Sequence, residues 1–249
     1  MTTQKIPRKG SKKGKSNEIE AALEENYNAL NFKFRKRDFA LTEKQKKLVS
    51  LILDPNVKIV LINGVAGTSK SYLAIYCALT MLKDRSANKL LFMRSVVESS
   101  PKGLGFLKGS LLEKMEVWRH VLDSKLEELV EPSSLSSVKA SEKIEALPIN
   151  YIRGASWKNM FVCLDEAQNL DFDAFKLALS RVGDGTKLVI CGDSDQCDIG
   201  NSGFQKICDM FDDEESMEKG IVSFHFDEED IVRSEICKFI MNKFKQLKN

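Results

Sequence analysis

Three short segments of this 249-residue chain hold residue types and spacings suited to phosphate chemistry. The first is Gly64-Val65-Ala66-Gly67-Thr68-Ser69-Lys70-Ser71, between the apolar run Lys58 to Asn63 and a helical pattern from Ser71 to Lys83. A strand, a glycine-containing loop and a helix in that order aim backbone N–H groups at the helix N-terminus, where phosphate oxygens bind. A lysine there reaches the β and γ phosphates, and the hydroxyl after it ligates Mg²⁺. The usual pattern is G-x-x-x-x-G-K-[ST], and Ser69 replaces its last glycine. On this segment alone, a phosphate loop and a plain glycine-containing turn ahead of a helix both stay open.

The second segment, Asp165-Glu166-Ala167-Gln168-Asn169, follows the apolar run Met160 to Leu164. Open α/β sheets bind ligands beyond the carboxyl ends of their strands, which is where these two acids fall. Asp165 suits the hydration shell of Mg²⁺, and Glu166 suits polarising a water for in-line attack on the γ-phosphate; taken alone the pair equally reads as acids capping a strand before a helix, and the upstream loop favours the first reading. The third segment is Gly192-Asp193-Ser194-Asp195-Gln196, after Leu188 to Cys191. Gln196 there either reports the γ-phosphate to a neighbouring nucleic-acid surface or belongs to an Asp/Ser turn without a ligand.

Positioning these residues takes alternating strands and helices. Continuous apolar runs predict strands buried on both faces at Lys58 to Asn63, Lys89 to Arg94, Met160 to Asp165 and Lys187 to Gly192, with a last strand at Ile221 to Phe226. Helices are expected at Ser71 to Lys83, about Leu111 to Val130, Phe172 to Arg181 and about Asp230 to Leu247. Thr42 to Gln45 followed by Leu48, Val49, Leu51, Ile52 and Leu53 reads as an N-capped helix ending before Pro55. Residues 133–141 read as a Ser-rich loop, and 209–219, with six acids, as an exposed mobile loop. The alternation predicts an α/β fold with a largely parallel sheet flanked by helices.

Composition limits the classes. No apolar run approaches the roughly 20 residues needed to span a bilayer, so no membrane partner is expected. The first residues lack the apolar core and cleavage site of a signal peptide, which points to a cytoplasmic protein. The net charge of +2 conceals an asymmetry: residues 1–16 carry six basic side chains and no acid, leaving −4 on the rest. Such a basic segment, residues 1–31 overall, is expected to be disordered and either solvated or weakly attached to nucleic acid. The six cysteines show no CxxC pair and read as free thiols. His120 and His225 lack ligand-spaced partners, so both read as structural and no zinc site is expected. Trp118 and Trp157 read as packing residues. Arg94 and Arg153 suit either contact with nucleic acid or phosphate or ordinary ion pairs, and Lys102 to Gly109 suits either nucleic-acid contact or subunit packing.

Together with Leu104-Gly105-Phe106-Leu107, Tyr151-Ile152-Arg153-Gly154 and Asp230-Ile231-Val232-Arg233, the three segments resemble PhoH-like proteins, P-loop ATPases related to the ATP-binding half of superfamily 1 helicases. The resemblance runs from about Phe39 to the C-terminal helix, with DEAQN its most specific part. It implies a RecA-like fold over residues 32–249, with the Gln196 strand lying between the phosphate-loop and DEAQN strands. It further implies binding of ATP and Mg²⁺ and hydrolysis coupled to RNA or single-stranded nucleic acid. Gly64, Val65, Ala66, Gly67, Thr68, Ser69, Lys70 and Ser71 would hold the nucleotide, and Ser71 and Asp165 the metal. Lys70, Glu166, Gln196 and Arg233 would serve catalysis, Arg233 as a candidate arginine finger or else a helix-surface ion-pair partner. Gln45 resembles the glutamine that reads adenine, yet Thr42-x-x-Gln45 is also a capping box.

Two departures from the family pattern qualify the reading. Ser69 puts a Cβ near the phosphates, which leaves a nucleotide-dependent nucleic-acid scaffold with weak or no hydrolysis as the alternative. The residues before Gly64 are too few for the ribonuclease domain fused to some relatives. A small-molecule kinase fits DEAQN and Gly192 to Gln196 less well. One RecA-like domain closes only half of a helicase-type site. The expectation is therefore a head-to-tail homo-oligomer, a hexameric ring sharing its ATP sites between subunits.

Overall fold

The computed structural model describes residues 30–36, 40–94, 111–149, 156–197 and 199–232, together with 236 and 239. Its elements in chain order are α1 (Glu43–Leu53), β1 (Ile59–Gly64), α2 (Lys70–Lys83), β2 (Lys89–Arg94), α3 (Leu111–Leu129), α4 (Pro132–Lys139) and β3 (Ile144–Pro148). They continue with β4 (Met160–Asp165), α5 (Phe172–Leu179), β5 (Lys187–Gly192), α6 (Phe204–Met210), α7 (Glu214–Glu218) and β6 (Ile221–Phe226).

The strands form one six-stranded sheet in the order β3-β2-β4-β5-β1-β6, with every pair parallel. Consecutive strand residues point to opposite faces, and here both faces are apolar. In β1, Val60 and Ile62 join one core layer and Ile59 and Leu61 the other; β5 divides likewise into Val189 and Cys191 against Leu188 and Ile190. The first layer packs on Leu48 and Ile52 of α1, Leu73 and Ile75 of α2, and Leu122 and Leu126 of α3. The second packs on Phe175 of α5 and on Phe204 and Ile207 of α6, with Trp157 buried beside them. Covering both faces is what permits unbroken apolar strands, so the α/β expectation holds.

The order places β5 between β4 and β1, as the resemblance implies. The carboxyl ends of β1, β4 and β5 therefore lie side by side, and β2 ends next to β4 with Arg94 in register with Asp165. The α1 helix begins at the expected box: Thr42 Oγ1 accepts from Gln45 N at 3.2 Å and Gln45 Oε1 accepts from Thr42 N at 3.1 Å. Phe34 reaches Val130 through an isolated antiparallel bridge, and Leu30 and Phe32 enter the core.

Two loop expectations change, and one strand appears that the sequence pattern does not predict. The Ser-rich stretch is mostly helix α4, started by Pro132 at its first turn, where the missing N–H costs no hydrogen bond. The edge strand β3 was hidden by its composition. Its residues alternate buried and part-buried positions, as an edge strand covered on one face does, and so break the continuous apolar pattern of the inner strands. The acidic stretch is not a loop throughout, because Asp213 Oδ1 accepts from Ser216 N at 2.7 Å and caps α7, whose first turn holds Glu214 and Glu215. Acids there complement the partial positive charge of the helix N-terminus. Near the C-terminus, Glu228 to Asp230 form a 3₁₀ turn and Ile231 is extended; most of the helix expected from 230 to 247 lies outside the described residues. So do residues 1–29 of the basic segment, Lys102 to Gly109, Arg153 and Arg233, whereas Leu30, expected within the disordered segment, is buried in the core because the chain there already packs against the sheet's helical layer. Among the described residues no helix is long and apolar enough to cross a membrane.

Candidate functional site

The loop Val65 to Ser69 leaves β1 and turns directly into α2. Gly64, the last residue of β1, pairs with Phe226 of β6. A Cβ at Gly64 would lie 2.6 Å from Phe226 Cβ and 2.9 Å from its carbonyl oxygen, so this glycine serves close strand packing. Gly67 has φ 94° and Ser69 has φ 68°, both in the left-handed region. Glycine enters that region without strain, whereas a residue with a Cβ pays about 1 kcal/mol or more. Ser69 is the N-cap of α2 and its side chain makes no capping hydrogen bond there.

Lys70 and Ser71, in the first turn of α2, point into the space framed by the strand ends. Lys70 Nζ donates to the carbonyl oxygens of Gly64 and, at 3.0 Å, of Val65. Burial pushes its ammonium below the ordinary lysine value, against the pull of Cys191, Asp193, Glu166 and Asp165. Ser71 Oγ donates to Asp165 Oδ1, joining two segments 94 residues apart. Desolvation raises the Asp165 carboxyl above the usual carboxylate range, and the Ser71 bond opposes that rise. A buried carboxylate and a hydroxyl at a helix N-terminus form a hard oxygen donor set, which fits Mg²⁺ bound beside phosphate.

Glu166 follows with φ 53° and ψ 41°, a left-handed conformation that non-glycine residues mostly keep for constrained positions. Its Oε1 pairs with Arg94 Nη2 at 3.2 Å and its Oε2 accepts from Gln168 Nε2 at 2.7 Å. Gln168, 2% exposed, also accepts from the Asp193 backbone N–H at 3.1 Å through Oε1. Asp193 in turn accepts from Asp195 N at 3.1 Å, and desolvation raises its carboxyl. Gln196 is exposed at the end of the 3₁₀ turn Ser194–Gln196 and borders the same cleft.

That cleft, about 350 Å³, brings together Ser69, Lys70, Ser71, Asp165, Glu166 and Gln196. Arg94, Gln168 and Asp193 border it too, as do Val121, Lys125 and Glu128 of α3. Gln45 stands apart from it. At 1% exposure its amide closes the α1 capping box and donates through Nε2 to Thr68 O at 3.4 Å, so it braces the loop from behind. On the far side Val232 N donates to Gly67 O at 3.1 Å. Lys44 ties α1 to that same C-terminal stretch through Asp227 at 2.9 Å and Asp230 at 2.6 Å.

Gln168, Asp193 and the α3 residues were not singled out from the sequence. Gln168 carried a signal, standing two residues after Glu166 on a tight turn. The α3 residues carried none, since their place depends on how the helix packs.

A family model described as "PhoH-like protein" matches residues 39–245. A PhoH-like protein of Synechocystis sp. is 32% identical over 213 residues, covering 84% of this chain and 63% of that relative. A PhoH-like protein of Mycobacterium tuberculosis is 35% identical over 175 residues, covering 69% and 49% respectively. Protein PhoH2 of Mycolicibacterium smegmatis is 37% identical over 156 residues, covering 62% and 36%. The chain thus spans between 36% and 63% of the length of these curated relatives.

Proposed function

The chain belongs to the PhoH-like protein family, and we propose that its cleft binds Mg²⁺–ATP and hydrolyses it in a cycle coupled to RNA or single-stranded nucleic acid. The observation that carries this reading is the hydrogen bond from Ser71 to Asp165, which joins the phosphate-loop segment to the acidic segment beside Lys70 and Glu166. Ser71 and Asp165 would hold Mg²⁺, which would supply charge neutralisation for the phosphates.

The chain's own residues supply the rest. Loop N–H groups from Ala66 to Ser71 receive phosphate oxygens at the start of α2. Lys70 exchanges the loop carbonyls for phosphate oxygens, a better partner for an ammonium whose burial already disfavours its charge. Glu166 orients the attacking water and accepts its proton. Gln196, at the exposed lip, senses the γ-phosphate, and Arg233 completes the site from a neighbouring copy in a ring. Gln45 holds the loop through Thr68, whether or not it also meets adenine.

A second reading, a nucleotide-dependent scaffold with little turnover, is favoured by one observation, the strained left-handed Ser69 within the loop. Steady-state ATP turnover with and without single-stranded RNA and DNA, with Lys70→Ala as control, tests the proposal. Turnover above the Lys70→Ala level and raised by a polymer is the expected result. Turnover without polymer stimulation removes the nucleic-acid coupling, and ATP binding without turnover selects the scaffold.

A further inference from the structure

Hydrolysis in this cleft depends on one carboxylate, and both of its oxygens are engaged. Glu166 Oε1 meets Arg94 Nη2 at 3.2 Å and Oε2 meets Gln168 Nε2 at 2.7 Å. A general base must turn a lone pair toward its water, and a guanidinium bond fixes the carboxylate's direction.

The two partners are held differently. Gln168 is buried and anchored at its other end to the Asp193 N–H, so it belongs to the rigid rim of the sheet. Arg94 is the last residue of β2, brought alongside Asp165 by strand register, and its side chain is 32% exposed at the edge of the cleft. The buried amide is a fixed support, while the part-exposed guanidinium can be reached by an anion from solvent. Guanidinium forks bind phosphate oxygens at least as well as a single carboxylate oxygen.

We propose that Arg94 is a positioning residue that restrains Glu166, keeping ATP hydrolysis slow until a backbone phosphate of single-stranded nucleic acid competes for the guanidinium. The inference rests on the ATPase reading above. It adds the link by which a polymer outside the cleft reaches the water-polarising group inside it. The chain 94-166-168-193 crosses the carboxyl ends of β2, β4 and β5, so a pull on Arg94 reaches the γ-phosphate side without any change of fold.

The test is steady-state ATP turnover of the full chain as wild type, Arg94→Ala, Arg94→Lys and Lys70→Ala, each without polymer and with poly(U) or oligo(dT). Arg94→Ala is expected to raise the polymer-free kcat fivefold or more, leave KM for ATP within twofold, and lose most of the polymer stimulation. Arg94→Lys, which keeps a cation opposite Glu166, is expected to stay near wild type. A polymer-free rate in Arg94→Ala equal to or below wild type overturns the restraint, and a fall would mean that the guanidinium serves the phosphates directly. Arg94→Lys behaving like Arg94→Ala overturns it as well. If wild type turns over no faster than Lys70→Ala, the ATPase reading fails for the unaltered chain. The restraint then still requires Arg94→Ala to exceed Lys70→Ala, and is overturned if it does not. Arg94→Gln replaces Arg94→Ala if the latter melts early.

Discussion

Two lysines, Lys70 half-buried and Lys187 buried, sit at opposite ends of adjacent strands, and their likeness is instructive. Lys70 lies just beyond the carboxyl end of β1, and Lys187 is the first residue of β5, at the amino end of the parallel strands. Both ammonium groups donate to backbone carbonyls, Lys187 to Asp54 O at 2.7 Å and to Val57 O. Burial pushes both below the ordinary lysine value, Lys187 to about 8. Depressed lysines are often offered as marks of function, yet by that measure the two look alike. What separates them is their company. Lys70 stands at a helix N-terminus facing Asp165, Glu166 and Asp193, whereas Lys187, 4% exposed, fastens β5 to the turn between α1 and β1. Convergence of groups at the carboxyl edge marks a site, and burial of one cation does not.

The largest effect expected from breaking this contrast is on turnover. Lys70→Ala and Glu166→Gln should each lower ATP turnover by about 100-fold or more, the usual scale for losing a charge stabiliser or a general base. Neither should lower the melting temperature by more than a few degrees, because neither side chain supports the core. An early melt in Lys70→Ala would place that lysine in the same structural class as Lys187.

Lys187→Met should show the converse pattern. Two buried carbonyls lose their donor at about 1–3 kcal/mol each, partly offset by relief of an ammonium held out of water, so a net loss of about 1 kcal/mol is expected at pH 7. Turnover per folded molecule should not change. The sign of the pH effect follows from the lowered value. Between about pH 8 and pH 10.5 the unfolded chain binds a proton at Lys187 that the folded chain does not, so wild-type stability gains with rising pH through that window. The penalty is fully present below pH 8 and gone above 10.5, and the gain amounts to at most about 3 kcal/mol. Paired denaturant melts at pH 7 and pH 10, read as the difference between wild type and Lys187→Met, check it. A difference that stays constant with pH would mean that Lys187 titrates normally.

The same contrast explains what could be read beforehand. The four inner strands and the loop-to-helix turn were legible because local pattern and burial agree there: apolar on both faces, glycine at the turn, lysine and serine at the helix start. The meeting of Ser71 with Asp165 was legible because the topology of parallel sheets gathers strand ends. The pins were not legible. Lys187 looks like any polar residue opening a strand, and its acceptors lie 133 and 130 residues away. Arg94 reads from sequence alone as an uncommitted cation, because its partner Glu166 lies 72 residues on and is fixed by register. Gln45 satisfied two motifs at once, and the structure has it capping α1 and bracing Thr68 with one amide.

The smallest expected effect tests the loop itself. Ser69→Gly should stabilise the protein by about 1 kcal/mol, since φ 68° costs a residue with a Cβ what glycine does not pay. Part of that gain is returned, because glycine also makes the unfolded chain more flexible. Measured alongside stability, turnover then separates the two readings of the cleft. If serine is an adaptation that shapes the loop for its phosphate, Ser69→Gly changes kcat within about threefold and the loop behaves as a working site. If serine obstructs the phosphates, relief of that obstruction raises kcat by orders of magnitude while the stability gain stays near 1 kcal/mol. A variant neither more stable nor faster would show that Ser69 is unstrained and that the loop leaves the left-handed conformation at that residue.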